Sequence, residues 1–445
     1  MACCLTHPLT LGKEMKSLAL ISLIGLVSSS FLVSCGKANT SQTSHAETKS
    51  ACPFSGLFRS NNVDRFAETL DAKHLKMAQE IVQLGGERAK LEAEYTETAI
   101  TRSVHTLGQA RRGVFYVNKD IPADSYVYEL AQGISQGQER AYVLARESSG
   151  TPQLNGRLPS KTEPTTSGLS FAVLADDARG GIHRNVFTLL TGENFAMPDL
   201  SHYVIFSDDL LNKGIPLKGF FPSVNPLSWR PLYLVQFLMG VLGRKDNRLD
   251  ETYYSQTIYK TKTSPNTDPL FVQYRVKSIK TDKDAHYKTF SLDFRQVGPG
   301  KDLLGGEDRT NYIKLTDWEE SGRLVILDKG VKSLKLEEAR FHTSDSEVLE
   351  TRGLINLTRD LVYQAGQDMR KAPYPEMESV ADLIEENQIE NPYHKGHGPD
   401  SDSKTQSAAC QVDPAELMDK ANNTDDKEEA DAMVAQALNY YFDCM

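Results

Sequence analysis

Between residues 62 and 98 apolar side chains recur at helical spacing: Phe66, Leu70, Leu75, Met77, Ile81, Leu84 and Leu91. Charge fills the other face, and a Gly85-Gly86 pair predicts a break. From Ile100 the period shortens towards two. Short β-rich runs with turn punctuation then follow to about residue 330: SVHTLGQARRGVFYV, AYVLARES, LSFAVLA, RNVFTLL, HYVIFS, PLFVQYRVKS, TFSLDFRQV and GRLVILD. The helical period returns at 353–370, GLINLTRDLVYQAGQDMR. Its simplest packing buries Leu354, Leu357, Leu361 and Ala365, solvates the arginines and leaves Tyr363 at the rim. Strands followed by helices predict an α+β fold.

The remaining stretches are appendages. Trp229–Leu242 is an apolar helix candidate too short to span a bilayer, so a buried or pocket-lining helix is expected. Residues 373–395 extend the domain with a short helix around Met377–Glu386. Residues 396–409 read as a linker, and 410–445 as a helical hairpin, Pro414–Asn422 and Asp425–Phe442.

With 445 residues, 39% of them hydrophobic, the chain has enough apolar material for one large core. A net charge of −10 excludes a basic field for nucleic acid, and the lysines between Lys260 and Lys288 alternate with acids as a solvated face does. At the N-terminus Lys13 and Lys16 precede an apolar run, Leu18–Val33, that ends Leu32-Val33-Ser34-Cys35-Gly36. This resembles a bacterial lipoprotein signal: residues 1–35 would be processed so that Cys35 carries the lipid, with 36–54 as a polar tether. The implied location is the bacterial cell envelope, anchored to a membrane by that lipid. Three thiols then remain, Cys52, Cys410 and Cys444. Cys410 and Cys444 bracket the hairpin, so their pairing is the simplest disulfide. No Cys-x-x-Cys metal spacing occurs.

Candidate chemistry gathers on the 353–370 helix, where Arg359, Tyr363, Gly366 and Arg370 share a stripe. Phenols bind ferric iron well as phenolates, a form that nearby guanidiniums favour, and a glycine lets a flat ring approach. Arg-x-x-x-Tyr also occurs at Arg112/Tyr116 and Arg370/Tyr374, but only Tyr363 has a further arginine seven residues on. That arrangement resembles the way haem catalases present their proximal ligand. A second segment, Arg102-Ser-Val-His105-Thr-Leu-Gly108 continuing through Gly113, Phe115 and Val117 to Asp120-Ile121-Pro122, resembles the stretch that opens the catalase barrel. The histidine there lies on the distal side of the haem. Fainter similarities to the short catalase-like branch lie at Arg146 in LARES, Asp177-Ala-Arg179-Gly180, Thr191-Gly192-Glu193-Asn194, Tyr253–Tyr259 and Val272–Val276. The resemblance covers about residues 55–372.

It implies a catalase-like antiparallel β-barrel with surrounding helices, holding haem b. Tyr363 would ligate the iron and His105 would move the proton of a peroxide substrate. Arg359 and Arg370 would support the cofactor, while Arg102 and Arg146 would reach its propionates. Strict strand alternation would put Arg102 on the face opposite His105. Glu147 stands where the family has an aromatic. Ser201, in Ser201-His202-Tyr203-Val204-Ile205-Phe206, stands where catalases have a distal asparagine. A missing amide donor would favour oxidation of a small organic electron donor over peroxide dismutation. Two other readings are a hydroperoxide-rearranging haem enzyme, with Trp229–Leu242 lining its entry, and a haem-free binding or structural lipoprotein.

Overall fold

The computed structural model describes residues 67–393, apart from 98–101, 151, 153, 156–165, 177–180, 198, 215, 226–228, 230–232, 235–236, 239–240, 242–247, 263–269, 280, 282–284, 302–306 and 332. Cys35, Cys52, Cys410, Cys444, the tether, the linker and the C-terminal hairpin therefore lie outside the described residues, as does Asp177–Gly180.

Eight antiparallel strands close a barrel. In spatial order they are β1 (Gly108–Val117), β2 (Arg140–Ser149), β3 (Ser167–Asp176), β4 (Ile182–Leu190), β5 (Thr252–Tyr254), β7 (Phe271–Ile279), β8 (Tyr287–Lys301) and β10 (Glu319–Leu327), which pairs back onto β1. Two short strands, β6 (Tyr259–Thr261) and β11 (Leu349–Thr351), extend the sheet from β7, and β9 (Glu307–Lys314) pairs with β8. The fold is thus α+β, built around a closed barrel. Closure removes exposed sheet edges, and alternation sorts each strand into an inward and an outward row. Inward rows supply Phe115, Val143, Phe171, Phe187, Tyr274, Phe294 and Leu324, all fully buried. Phe171 stacks on Phe187 at 4.8 Å, and Phe187 meets Tyr274 edge-on at 5.2 Å. The join between β4 and β5 is narrow, a single register pair, Leu190 with Tyr254.

Seven continuous helices among the described residues surround the barrel: α1 (Ala72–Thr96), α2 (Tyr126–Ser135), α3 (Leu200–Lys213), α4 (Leu217–Phe220), α5 (Leu334–Glu337), α6 (Leu354–Arg370) and α7 (Val380–Asn387). The outward rows of β1–β4 and β10, including Val114, Tyr142, Leu144, Ala172 and Val186, form a second core with Phe341, Leu383 and Ile389. A third, aromatic cluster joins Phe195, Met197 and Phe220 to Tyr233, Leu234, Phe237 and Leu238 from the expected Trp229–Leu242 helix, whose described residues at those four positions are helical.

Four expectations change. HYVIFS, expected as a strand, lies in helix α3, which starts at Leu200 behind the Asp199 cap that accepts from His202 N. Helix α1 runs unbroken through Gly85 and Gly86, from its Asp71 cap, which accepts from His74 N, to Thr96. A glycine inside a helix costs about 1 kcal/mol, but a Cβ at Gly86 would lie 2.8 Å from Met369 Cε, so close packing against α6 holds the pair in the helix. The strand expected from Ile100 begins at Gly108, because residues 102–107 are irregular and His105 adopts a left-handed φ of 57°. That turn cancels the alternation expected to separate Arg102 from His105. Along α6, Arg359 is 3% exposed while Leu357 and Leu361 are only half-buried, reversing the simple amphipathic packing.

Candidate functional site

A cavity of about 980 Å³, counting its open mouth, lies between the outward face of β2–β4 and the helices α1 and α6. The sheet wall follows the strand register. Arg146, Ser170 and Thr188 form one cross-strand row, and Ser148, Gly168 and Leu190 the next. The helix wall brings Val82, Gly85, Gly86 and Ala89 from one face of α1, and Val362, Tyr363, Ala365, Gly366, Met369 and Arg370 from α6. Small residues on both walls leave a slot suited to a flat ligand.

His105 enters from the sheet side. Its Nδ1 lies 2.9 Å from Ser148 Oγ, which leaves Nε2 as the nitrogen available to the cavity. The ring needs Gly168 beneath it, since a Cβ there would lie 2.9 Å from His105 Cε1 and 2.7 Å from Ser148 Oγ. Burial, reinforced by the charges of Arg146 and Arg102, pulls the His105 pKa down to about 3. The imidazole is therefore uncharged at neutral pH and able to accept a proton.

Tyr363 enters from the helix side, backed by Arg359. The Arg359 guanidinium donates to Ser255 O and Thr257 Oγ1, each at 3.2 Å, and to Tyr363 Oη at 3.4 Å. Among the described residues no carboxylate pairs with it. Burial works against its charge, yet the facing phenols of Tyr363, Tyr259 and Tyr203 outweigh that and hold its pKa above the ordinary arginine range. The hydrogen bond to Tyr363 Oη thus sets this buried positive charge against a phenol that lines the cavity. Residues 191–194 and 253–259, both singled out in the sequence, meet behind it. Gln256 Nε2 donates to the carbonyls of Thr191, Gly192 and Asn194, and the turn around Gln256 presents Ser255 and Thr257 to Arg359.

At one edge of the slot Arg102, Arg146 and Arg370 converge on only two carboxylates. Arg102 pairs with Glu338 at 3.0 Å, Arg370 with Glu338 at 3.1 Å, and Arg146 approaches Glu337 at 3.8 Å. Arg146 also donates to His105 O, at 3.1 Å, through a gap that only a glycine at 108 leaves open: a Cβ there would lie 2.6 Å from Arg146 Cζ. Burial and then the charge of Arg102 pull Arg146 down to about 9 and Arg370 to about 10; burial also lowers Arg102. Arg146 Nε is buried without a hydrogen-bond partner. The edge carries an excess positive charge that an anionic ligand would relieve.

The structure thus brings His105, Arg102, Arg146, Tyr363 and Arg370 to one cavity, with Arg359 directly behind. It does not bring Ser201 there. Ser201 lies in the first turn of α3, where its Oγ donates to Asp199 Oδ1 at 2.6 Å, so it supplies no distal hydrogen bond. Glu147, on the other face of β2, pairs with Arg111 at 2.9 Å. Sequence reasoning missed Ser148, Gly168, Thr188, Glu337 and Glu338. The paired glycines of α1 were its one visible trace of a close approach. Comparison with protein-family models and with curated proteins finds no match to this chain.

Proposed function

We propose that the chain is a haem-dependent, peroxide-consuming enzyme of the catalase-like family. The observation that carries this reading is Arg359, a buried guanidinium that donates to the phenol of the cavity-lining Tyr363. Three further features support the fit to haem: the slot is walled by small residues, its edge has an excess of guanidinium over carboxylate, and the barrel is closed. Haem b, when bound, supplies the iron at which a peroxide O–O bond is broken.

The chain's own residues have distinct tasks. Tyr363 would ligate the iron through its phenol oxygen, to which Arg359 donates at 3.4 Å. Arg102, Arg146 and Arg370 would take the carboxylates of the macrocycle by charge-assisted hydrogen bonds. His105 accepts a proton from one peroxide oxygen at Nε2 and returns it to the departing oxygen, while Ser148 fixes the ring through Nδ1. Ser201, engaged by Asp199, does not replace the missing amide, so oxidation of a small organic donor is favoured over peroxide dismutation. Either a second peroxide or a small organic donor can supply the electrons that complete turnover.

The direct test is the visible spectrum of the purified protein. An intense Soret band with haem near one per chain is expected, and a colourless protein that also fails to take up added haem defeats the proposal. A lipid anchor at Cys35 fits the same envelope setting, given the Leu32-Val33-Ser34-Cys35 run. Mass spectrometry should find acylated Cys35 as the first residue; an unmodified Cys35 would remove the anchor.

A further inference from the structure

Thr188 lines the cavity yet is only 4% exposed, and its Oγ1 has no hydrogen-bond partner. A buried hydroxyl without a partner is unfavourable, and such groups in folded proteins ordinarily have one. Its own backbone offers none: Tyr274 Oη accepts from Thr188 N at 3.4 Å and donates to Thr188 O at 3.3 Å. The register fixes where the hydroxyl stands. Thr188 is outward-facing on β4, directly opposite Ser170, and Ser170 is two residues along β3 from Gly168, the glycine beneath the His105 ring. Diagonal neighbours on one face of a sheet lie about 7–8 Å apart, a span that a ligand of two oxygen atoms bridges. Both other hydroxyls on this wall have different settings: Ser148 is committed to His105, and Ser170 is only half-buried.

We propose that Thr188 Oγ1 is the second hydrogen-bonding group for a small oxygen ligand, hydrogen peroxide or an alkyl hydroperoxide, held between it and His105 Nε2. The ligand class rests on the function proposed above; the placement of the hydroxyl does not. Thr188 donates to one oxygen and His105 accepts the proton on the other. It takes the role that the resemblance had led one to expect of Ser201.

The test uses azide, a small hydrogen-bond acceptor, on the protein as purified, with Thr188→Val and Thr188→Ser beside it. Binding is read as the rise in thermal midpoint with azide concentration, which needs no chromophore. Thr188→Val removes an unpartnered hydroxyl, so its midpoint without azide should equal or exceed the parent's. Its azide affinity should fall about tenfold, the factor that one hydrogen bond of ~1.4 kcal/mol represents. Thr188→Ser should bind like the parent. The proposal is overturned if the parent does not bind azide, if Thr188→Val binds within twofold of it, or if that variant melts lower, which would reveal a structural partner. A missing Soret band in the parent defeats the haem assignment alone, because these isotherms do not depend on colour.

Discussion

The sheet wall and the helix wall of the cavity hold their reactive groups by opposite means. On the sheet wall, backbone register and two glycines, Gly108 and Gly168, open room for Arg146 and for the His105 ring, and the nearby guanidiniums keep that ring neutral. On the helix wall, Arg359 is buried against Tyr363, with no carboxylate among the described residues to neutralise it. One wall strips charge from its key residue and the other concentrates it. A proton acceptor must be uncharged and a ligand to ferric iron must be anionic, so each wall suits the task proposed for it.

Exchanging one residue on each wall should separate these tasks. The largest effect is expected from Tyr363→Phe, which removes the phenol oxygen proposed to bind iron; haem content should fall to near zero. His105→Gln should keep the haem and slow peroxide turnover by about 10²–10⁴, the usual contribution of a positioned acid–base group. If both variants lose haem equally, the division between the walls is wrong.

A smaller effect concerns pH. The pKa of His105 is near 6.5 in an unfolded chain and about 3 in the folded one, so between those values the unfolded state binds the extra proton. The stability that this group contributes is complete above about pH 6.5 and is lost as pH falls towards 3. Thermal midpoints between pH 4 and 7 should therefore rise with pH more steeply in the parent than in His105→Gln. Equal slopes would show that His105 titrates normally.

The smallest effect should come from Ser201→Ala. Its hydroxyl serves Asp199 at the start of α3, so oxygen release and donor oxidation should both stay within about twofold, with a loss of stability of ~1 kcal/mol at most. A hundredfold change in either rate would return Ser201 to the reaction.

Much of the site was legible because its residues are unusual for their positions. A stripe of Arg359, Tyr363, Gly366 and Arg370 stands out on a helix, and the spacing from His105 to Gly108 and Gly113 stands out at the start of a strand. Glu337 and Glu338 were not legible. An acidic pair in LKLEEAR reads as any solvated turn, and only tertiary packing places it against three arginines. Thr188 was equally silent, since a threonine on an alternating strand is ordinary and its missing partner appears only once neighbouring strands are in place. The fold class followed from the change in period at Ile100. Barrel closure left no local pattern, because the β1–β10 pairing joins distant parts of the chain, and it was expected only through the family resemblance.

That closing pair also bears on folding order. The meander β1–β4 can form from neighbouring segments, but Gly113 must wait for Ile326 before the ring is complete, and α6 follows later still in the chain. Long-range pairing of this kind is slow, since loop entropy is lost before its contacts are made. The half-site on β2–β4 would therefore exist early without the tyrosine wall. Refolding monitored by hydrogen exchange should protect β1–β4 first, and haem added during refolding should be captured only in the final kinetic phase. Cofactor uptake would then report completed folding rather than guide it.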